Sequence, residues 1–445
     1  MKHAKVFLWS LVVALGGFLF GFDTAVISGA EKAIQAYWQL NVFEHGLTVS
    51  IALIGTVLGA LLGGIPSDRL GRKKTLFGIA VLYLLSSIGT GLAPDWLMFL
   101  VFRFLGGIGV GASSVTAPLY ISEIAPAGSR GRLVAMFQFN VVFGILIAYL
   151  SNYIFGMLGD EGTNWRWMLG IQAVPSLVFL VAVLFVPESP RWLITKKGRL
   201  EEAKVILRVA NPGVDAGRLA TEILLSAQPA GSREKVAFFS RQYRTPILLA
   251  VLFAVFNQVS GINAIIYYAP RIFEMAGLGK NSALLSSAGV GLINFLFTLL
   301  ALNLIDRFGR RKLMLIGSVG LIITLGLVAR AFYFEEFNNF SVPVYLFIYI
   351  AFFAFSQGAV IWVFISEIFP NQVRATGQAL GSFTHWLMAS VIAFTFPYVA
   401  QTLGGGTTFL IFCGMMVLQL LFVWRMMPET KGTSLEQIGR DVVVH

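Results

Sequence analysis

Long apolar stretches separated by short turns dominate the pattern of hydrophobic and polar positions along the chain. Each stretch is about 20 residues long, the length that a helix needs to cross roughly 30 Å of hydrocarbon. The pattern predicts twelve membrane spans, six in each half of the chain. They lie near residues 7–29, 46–66, 75–93, 97–120, 133–156, 167–186, 246–270, 282–305, 313–332, 343–366, 377–400 and 405–427.

The polar segment 187–245 separates the two sets of spans. Within it, residues 190–208 place Lys and Arg between Leu, Ile and Val at helical spacing, which predicts short amphipathic helices. One interpretation is an intracellular helical domain that braces the two halves, and the other is a solvated linker. The apolar stripe at 202–209 favours the brace, because it would otherwise lack a partner.

Three short motifs occur twice in the same order, which indicates an internal duplication. The heptad Asp-Arg-Leu-Gly-Arg-Lys-Lys at 68–74 returns as Asp-Arg-Phe-Gly-Arg-Arg-Lys at 306–312. Ile-Ser-Glu-Ile-Ala-Pro at 121–126 returns with one change at 365–370, and Pro-Glu-Ser at 187–189 returns as Pro-Glu-Thr at 428–430. We therefore expect a six-helix bundle at 1–186, an intracellular helical linker at 187–245, a second six-helix bundle at 246–427 and a cytoplasmic tail at 428–445.

The composition and the charge distribution indicate an integral membrane protein. Hydrophobic residues make up 57% of the chain and charged residues 12%, with a mean hydropathy of +0.78, whereas globular domains carry about 25% charged residues. With both termini cytoplasmic, 27 of the 33 Lys and Arg lie on the cytoplasmic side, as expected for short loops. The net charge of +11 is thus a topology signal, and without a recognition motif we expect no nucleic-acid binding. Only Arg103 lies deep within a span, and five cations lie at or beyond the external ends of spans: Lys32, Arg166, Arg271, Lys280 and Arg330.

Nothing in the sequence indicates enzyme chemistry, a cofactor or a metal site. The single cysteine, Cys413, lies deep in the last predicted span, where one thiol can build neither a disulfide nor a thiolate metal site. The glycine pattern at 106–111 lies inside an apolar helix with no preceding strand, so it predicts close helix packing rather than a nucleotide-binding loop. The apolar N-terminal run lacks a small-residue cleavage site, so we interpret it as a retained first span.

Asp23 in the first span and Arg103 in the fourth are ionisable residues predicted to lie inside the bilayer. Such residues are costly there, and these two are natural partners. A carboxylate beside a guanidinium stays ionised, and protonation breaks the pair, as a proton-coupled carrier requires of its coupling site. A static ion pair that holds two helices together is the alternative.

Together these motifs resemble the sugar porter family of the major facilitator superfamily, and the chain is most similar to its bacterial proton/sugar symporters. The resemblance covers nearly the whole chain. It implies an all-α membrane protein with twelve transmembrane helices in two pseudo-symmetric six-helix bundles, around a cavity that opens alternately to either face. The motifs that carry it are the two heptads, Arg103 leading into the glycines at 106–111, Pro-Glu-Ser-Pro-Arg at 187–191, Gln-Val-Ser-Gly-Ile-Asn at 258–263 with Tyr267 and Tyr268, and Pro-Glu-Thr-Lys at 428–431.

The resemblance also implies which residues contact the sugar. Amide side chains both donate and accept hydrogen bonds, so they suit paired sugar hydroxyls, and an aromatic face covers the apolar side of the ring. Gln258 and Asn263 can contact one ligand only if their helix is locally broken, which Ser260-Gly261 permits. The residues that match sugar-binding or cavity-lining positions are Gln138, Gln258, Asn263, Tyr267, Asn294 and Trp362.

Three features depart from the family pattern. Asn257 replaces a second glutamine, and His385, which precedes Trp386, replaces an amide; we include these three residues in the predicted sugar site. His385 either binds sugar or titrates near neutral pH, or it is a neutral cavity histidine hydrogen-bonded to a neighbour. The tenth span lacks, at 358–362, the prolines that commonly soften this helix.

Charged residues at the predicted cytoplasmic face are expected to form ion-pair networks between span ends. In the family such networks lock the outward-open state and part when the cavity opens inward. The alternative is that the cations only set the topology. The predicted gate residues are Asp68, Arg69, Arg72, Glu123, Arg130, Glu188 and Arg191 in the first half, and Asp306, Arg307, Arg310, Glu367, Arg374 and Glu429 in the second.

The predicted function is secondary active transport of a monosaccharide, a hexose or a pentose, with protons coupled through Asp23 and Arg103. A facilitative uniporter of the same fold and a transport-inactive sugar sensor are the alternatives. A drug/proton exporter would share the fold but not the amide set at 258–263. The expected partners are the sugar, the proton and the lipid bilayer, and we expect a functional monomer in a bacterial inner membrane.

Overall fold

The structure is a computed structural model that describes residues 4–126, 128–158, 162–227, 238–335, 337, 340–370 and 373–431, without the side chains of Leu302 and Asp306. The described residues form helices and no strand. Eleven helices among them are long and apolar enough to cross a membrane. These spans are Ala4–Tyr37, Val42–Leu62, Arg72–Leu92, Trp96–Ile124, Arg130–Met157, Asn164–Leu184, Arg241–Met275, Lys280–Ala301, Arg310–Phe334, Ser341–Glu367 and Arg374–Met426.

The last of these helices accounts for two spans. Arg374–Met426 is 53 residues long, and Gly404 within it has a φ of 77° and a ψ of 161°, which is not helical. Glycine adopts this conformation readily because it has no Cβ to clash with the backbone. The helix therefore divides between the predicted eleventh and twelfth spans, and the prediction of a twelve-helix fold is confirmed.

The first helix is longer than predicted. It continues to Tyr37, beyond the predicted end near residue 29. The added turns contain Glu31 and Lys32, whose charges ended the apolar stretch from which the span was predicted. Burial and pairing of Glu31 by other helices, described below, allow the helix to continue past the apolar stretch.

The seventh span is interrupted at the place where Ser260-Gly261 was expected to permit a break. Helix Arg244–Val259 ends before Ser260, and helix Ile262–Met275 begins after Gly261, which has a φ of 86°. Tyr268 within the second piece also has non-helical angles, with φ −122° and ψ 17°. These breaks turn the side chains of 257–263 towards one another.

By internal contacts the chain groups into two compact units. Of the described residues, the first unit contains those within 1–24, 54–148 and 166–234, and the second contains those within 25–53, 149–165 and 235–445. The division of the sequence into two six-helix bundles with a linker and a tail stays a prediction.

Glycines allow helices of the first unit to pack backbone to backbone. A Cβ at Gly21 would lie 1.8 Å from the Val141 carbonyl oxygen, and a Cβ at Gly144 would lie 2.1 Å from that of Phe18. A Cβ at Gly111 would lie 2.2 Å from the Thr56 carbonyl oxygen. The glycines at 106–111 therefore serve close helix packing, as predicted.

The linker is helical, and its apolar stripe has a partner. Its elements are Pro190–Trp192, a π-helical turn Leu193–Lys197, Leu200–Ala210 and Ala216–Ala227. Leu207 of the stripe packs with Trp192, Ile194 and Ala220 in one buried cluster. Trp192 Nε1 donates to the Asp68 carbonyl at 2.8 Å, which fixes the linker to the first heptad. The bracing role stays a prediction, and residues 228–237 of the linker lie outside the described residues.

Candidate functional site

A buried ion pair joins the first and fourth spans within the first unit. Arg103 Nη1 donates to Asp23 Oδ1 at 2.8 Å, and the two side chains are 2% and 5% exposed. Gly106 lies next to this carboxylate and is itself closely packed, because a Cβ there would lie 2.3 Å from Ser86 Oγ and 3.8 Å from Asp23 Oδ1. Gln172 of the sixth span lies beside the same carboxylate. The structure thus brings together the two intramembrane charges that the sequence singled out.

The hydrogen bonding of Arg103 is incomplete. Its Nη2 lies 3.5 Å from the Asp23 carbonyl oxygen, and its Nε has no hydrogen-bond partner among the described residues. Removing the charge of one partner of a buried pair leaves an uncompensated charge and typically costs about 3–5 kcal/mol. Protonation of Asp23 would therefore strongly favour a rearrangement that gives Arg103 a new partner or water.

The amide side chains of the seventh span form one connected cluster. Asn263 Nδ2 donates to Gln258 Oε1 at 2.5 Å, and Gln258 Nε2 donates to Asn257 Oδ1 at 2.9 Å. All three residues are buried. Five residues separate Gln258 from Asn263, and the break at Gly261 brings them together. The cluster presents donors and acceptors side by side, as vicinal hydroxyls require.

His385 of the eleventh span completes this cluster. Gln258 Nε2 lies 3.2 Å from its Nδ1 and 3.3 Å from its Nε2. An amide nitrogen only donates, so the ring nitrogen that accepts carries no proton and the imidazole is neutral. This contact agrees with the alternative of a neutral cavity histidine. The His385 ring also packs against Trp362 and Trp386, each with ring centroids 4.8 Å away.

The tenth span contributes a residue that the sequence analysis missed. A π-helical turn, Ala354–Gly358, interrupts this span, although it lacks the expected prolines. Gln357 in the turn is fully buried, and its carbonyl oxygen accepts a hydrogen bond from Asn257 Nδ2 at 3.4 Å. Its own Oε1 is buried without a hydrogen-bond partner among the described residues. Glycine and polar residues inside an apolar helix, as at 356–358, are the signal that could have indicated this irregularity.

The remaining predicted sugar residues occupy several spans. Tyr267 is buried in the seventh span and Asn294 in the eighth, whereas Trp362 of the tenth is 38% exposed. Gln138 is half-buried in the fifth span and belongs to the first unit. Among the predicted sugar residues, the hydrogen bonds described above join Asn257, Gln258, Asn263 and His385.

The first charged network centres on Arg72. Its Nε and Nη2 donate to the two carboxylate oxygens of Glu123, both at 2.9 Å. Its Nη1 donates to Asp68 Oδ1 at 3.1 Å and to the Ser67 carbonyl at 3.0 Å. The Arg72 and Glu123 side chains are 8% and 6% exposed, so this is a bidentate pair shielded from water.

Glu188 holds the other side of this network at the start of the third span. Its carboxylate accepts hydrogen bonds from the backbone N–H groups of Arg72 at 2.9 Å, Lys73 at 3.2 Å and Ser189 at 2.8 Å. A carboxylate at a helix N-terminus also interacts favourably with the helix dipole. Burial raises the pKa of the Glu188 carboxyl above its ordinary value, while these N–H donors act in the opposite direction.

The second network repeats the first in the second unit. Arg310 Nε and Nη2 donate to Glu367 at 3.2 and 2.8 Å. Glu429 accepts from the backbone N–H groups of Arg310 at 2.9 Å and Arg311 at 3.1 Å. Thr430 Oγ1 adds a hydrogen bond of 2.6 Å to Glu367. Each network thus links one arginine, one span-end glutamate and one glutamate at a helix N-terminus.

Several predicted gate residues lie apart from these networks. Arg69, Arg130, Arg191 and Arg307 are exposed, and no ion pair joins their side chains to other residues in the described part of the chain. Arg374 is half-buried, and its Nε donates to the Phe369 carbonyl at 3.2 Å rather than to a carboxylate. The side chain of Asp306 lies outside the described residues.

A twelve-helix fold with a broken seventh span and buried intramembrane charges defines a membrane transporter of the major facilitator type. A family model described as "Sugar (and other) transporter" matches residues 9–442, so the chain belongs to this family of transporters.

Similar proteins cover nearly the whole chain. It is 38% identical to the arabinose-proton symporter of Bacillus subtilis, over 98% of this chain and 94% of that protein. It is 37% identical to the D-xylose-proton symporter of Escherichia coli K12, over 98% of this chain and 96% of that protein. The inward open structure of the xylose transporter XylE from E. coli matches with a TM-score of 0.87 and 35% identity, over 98% of this chain and 99% of that chain.

Proposed function

We propose that this protein is a proton-coupled monosaccharide symporter that works by alternating access. The buried Asp23–Arg103 pair is the observation that carries the proposal. The Asp23 carboxyl can be ionised beside the guanidinium or protonated after the pair separates, and the two states differ by one bound proton. Asp23 is the proton acceptor, and Arg103 is the group whose release couples protonation to a change of conformation.

The sugar binds at the amide cluster of the seventh span. Gln258 and Asn263 bond to one another in the absence of substrate, and sugar hydroxyls replace these bonds on binding. The ring of Trp362 covers the apolar face of the sugar, as aromatic side chains do in many sugar sites. Gln138, Tyr267, Asn294, His385 and Trp386 complete the proposed site. Relatives named as arabinose and D-xylose symporters support a pentose or hexose substrate.

The two charged networks belong to the proposed cytoplasmic gate. We retain the division into bundles at 1–186 and 246–427, a linker at 187–245 and a cytoplasmic tail at 428–445. The protein acts as a monomer in a bacterial inner membrane, with both termini in the cytoplasm. The distribution of Lys and Arg supports this orientation.

The test is transport of a panel of radiolabelled pentoses and hexoses into proteoliposomes, with an inward proton gradient and with or without a protonophore. We expect one sugar to accumulate above its outside concentration, and the protonophore to abolish accumulation. Asp23→Asn should lose accumulation but retain counterflow exchange. Asp95→Asn is the matched control, because Asp95 caps the fourth helix through the Met98 N–H, a role that asparagine also fills.

Other outcomes would contradict parts of the proposal. A wild-type protein that equilibrates sugar but never concentrates it would be a uniporter. A protein that binds sugar without moving it would be a sensor. An Asp23→Asn variant that still concentrates sugar would exclude Asp23 as the coupling site.

A further inference from the structure

A polar cluster outside the proposed sugar and coupling sites lies at the ends of the first, second and seventh spans, within the second unit. Arg271 Nε and Nη2 donate to the two carboxylate oxygens of Glu31, both at 2.8 Å. His45 Nε2 lies 2.6 Å from Glu31 Oε2, and Arg271 Nη2 also donates to Gln35 Oε1 at 2.7 Å. One carboxylate therefore ties three spans together.

The cluster is shielded from water. The side chains of Glu31 and His45 are each 1% exposed, and that of Arg271 is 25% exposed. A buried carboxylate is tolerated only while its partners are in place. Separation of the three spans would break all of these bonds together and admit water.

The bonding around His45 indicates which protons the bonded arrangement holds. Ionised Glu31 only accepts hydrogen bonds, so His45 Nε2 carries the shared hydrogen. His45 Nδ1 is buried with no hydrogen-bond partner among the described residues. A doubly protonated ring would leave a buried N–H donor unsatisfied there, which is costly. The bonded cluster therefore contains a neutral imidazole, one carboxylate and one guanidinium, with no net charge.

Neighbouring groups offer no compensation for an extra proton. The Tyr268 ring lies edge-on to His45 with centroids 5.9 Å apart, but its hydroxyl donates to the Ala393 carbonyl at 2.9 Å. Lys32 and Glu274 form a separate ion pair, and the Lys32 side chain is 64% exposed. Glu44 accepts a hydrogen bond from the Asn41 N–H at the start of the second span. A proton added to Glu31 or His45 would give the buried cluster a net positive charge, which only separation and hydration can relieve.

We propose that Glu31, His45 and Arg271 form a proton-responsive external latch, which holds the three spans together without the added proton and releases them when it binds. This role rests on the alternating access proposed above and on the predicted orientation, which places the three residues at the external face. Acid outside the cell then favours the outward-open state that admits sugar. In a proton-driven importer, the gradient that drives uptake would thus also open the external side.

Double electron–electron resonance between two spin labels tests the latch without substrate or transport. The labels are attached at two exposed positions, Ala36→Cys in the first span and Asn281→Cys at the start of the eighth, in a Cys413→Ser background. Distance distributions are recorded in lipid nanodiscs from about pH 5 to about pH 8, the range in which histidine changes charge. The latch variants are Glu31→Gln and His45→Gln. Lys32→Gln is the matched control, because it removes a charge at the adjacent position whose ion pair with Glu274 also joins the first and seventh spans but is exposed and therefore contributes little.

In the wild type we expect two label-to-label distances, and the fraction of molecules with the longer distance should increase as the pH falls. Glu31→Gln should raise the ratio of long to short distances by about tenfold or more at neutral pH, because it loses a charge-assisted bidentate pair. His45→Gln keeps an N–H donor but cannot titrate, so the short distance should persist and the response to acid should shrink. Lys32→Gln should behave as the wild type.

The latch is contradicted if Glu31→Gln and His45→Gln retain the wild-type distances and acid response, or if Lys32→Gln shifts them as much as Glu31→Gln does. If Glu31→Gln does not fold, a wild-type acid response in His45→Gln is by itself sufficient to contradict the proposed latch. Because no sugar is present, failure here leaves proton-coupled transport intact. Failure of transport likewise leaves the distance measurement valid.

Discussion

Alanine in place of Gly71 or Gly309 should displace a glutamate from the start of a span. A Cβ at Gly71 would lie 2.3 Å from Glu188 Oε2, and a Cβ at Gly309 would lie 2.5 Å from Glu429 Oε2. The φ angles of the two glycines are 100° and 86°. With ψ near 163°, both positions therefore combine a backbone conformation that is essentially confined to glycine with a side-chain clash, and both link a helix N-terminus to the charged network of its unit.

The expected cost follows from these two effects. A non-glycine residue held in this conformation costs about 1–3 kcal/mol. Each charge-assisted hydrogen bond that the displaced carboxylate loses contributes about 1.5–3 kcal/mol, and Glu188 accepts three from backbone N–H groups. Because water replaces part of what is lost, we expect destabilisation of about 3 kcal/mol or more in each variant.

Thermal unfolding of the purified variants in detergent measures this cost, and Gly78→Ala supplies the control. Gly78 lies in the same helix as Arg72, and a Cβ there would meet nothing within 4 Å. Alanine is favoured over glycine inside a helix by about 0.5–1 kcal/mol. Gly71→Ala and Gly309→Ala should therefore unfold well below the wild type, and Gly78→Ala at or above it. Equal stability of Gly71→Ala and Gly78→Ala would refute the role assigned to the carboxylate.

Three further outcomes follow from the networks and the amide cluster. Replacing Glu123 and Glu367 together by glutamine should shift the equilibrium between inward-open and outward-open states, as measured by accessibility labelling. An unchanged equilibrium would exclude the proposed cytoplasmic gate. Gln258→Ala should weaken sugar binding by about tenfold or more, because Asn257, Asn263 and His385 all lose their hydrogen bonds to Gln258. Titration of sugar while following the quenching of tryptophan fluorescence measures the affinity, and wild-type affinity would exclude Gln258 from the site. His385→Gln should leave the pH profile of transport unchanged, because the histidine accepts a hydrogen bond as a neutral ring; a displaced profile would mean that His385 titrates.

The sequence predicted best those features in which the physical properties of a residue restrict it to few structural roles. An apolar stretch of span length must form a helix, and two opposite charges inside such stretches must pair, as Asp23 and Arg103 do. The glycines at 106–111 favoured close packing over a nucleotide-binding loop, and Ser260-Gly261 permitted a break in the helix; the structure has both features. In each case the cost of burial or backbone geometry limited the structures that these residues could adopt.

The features that the sequence did not predict depend on contacts between distant segments. The π-helical turn at 354–358 contains no proline from which it could be predicted, and it depends on the packing around Gln357. Glu31 was not singled out by the sequence, because its partner Arg271 lies more than 200 positions away, and the role of His45 depends on its contact with the same carboxylate. Arg130 and Arg374 repeat in sequence like the true network members, yet repetition alone did not place them against a carboxylate.

Proton-driven accumulation through Asp23 is the most direct test of the account. For one proton per sugar, a gradient of about two pH units is worth about 2.7 kcal/mol and supports roughly 100-fold accumulation. Wild-type protein in proteoliposomes should approach this ratio for its sugar, whereas Asp23→Asn should stop at a ratio of about one while still exchanging labelled sugar. Accumulation by the Asp23→Asn variant, or none by the wild type, would contradict proton coupling through the buried pair.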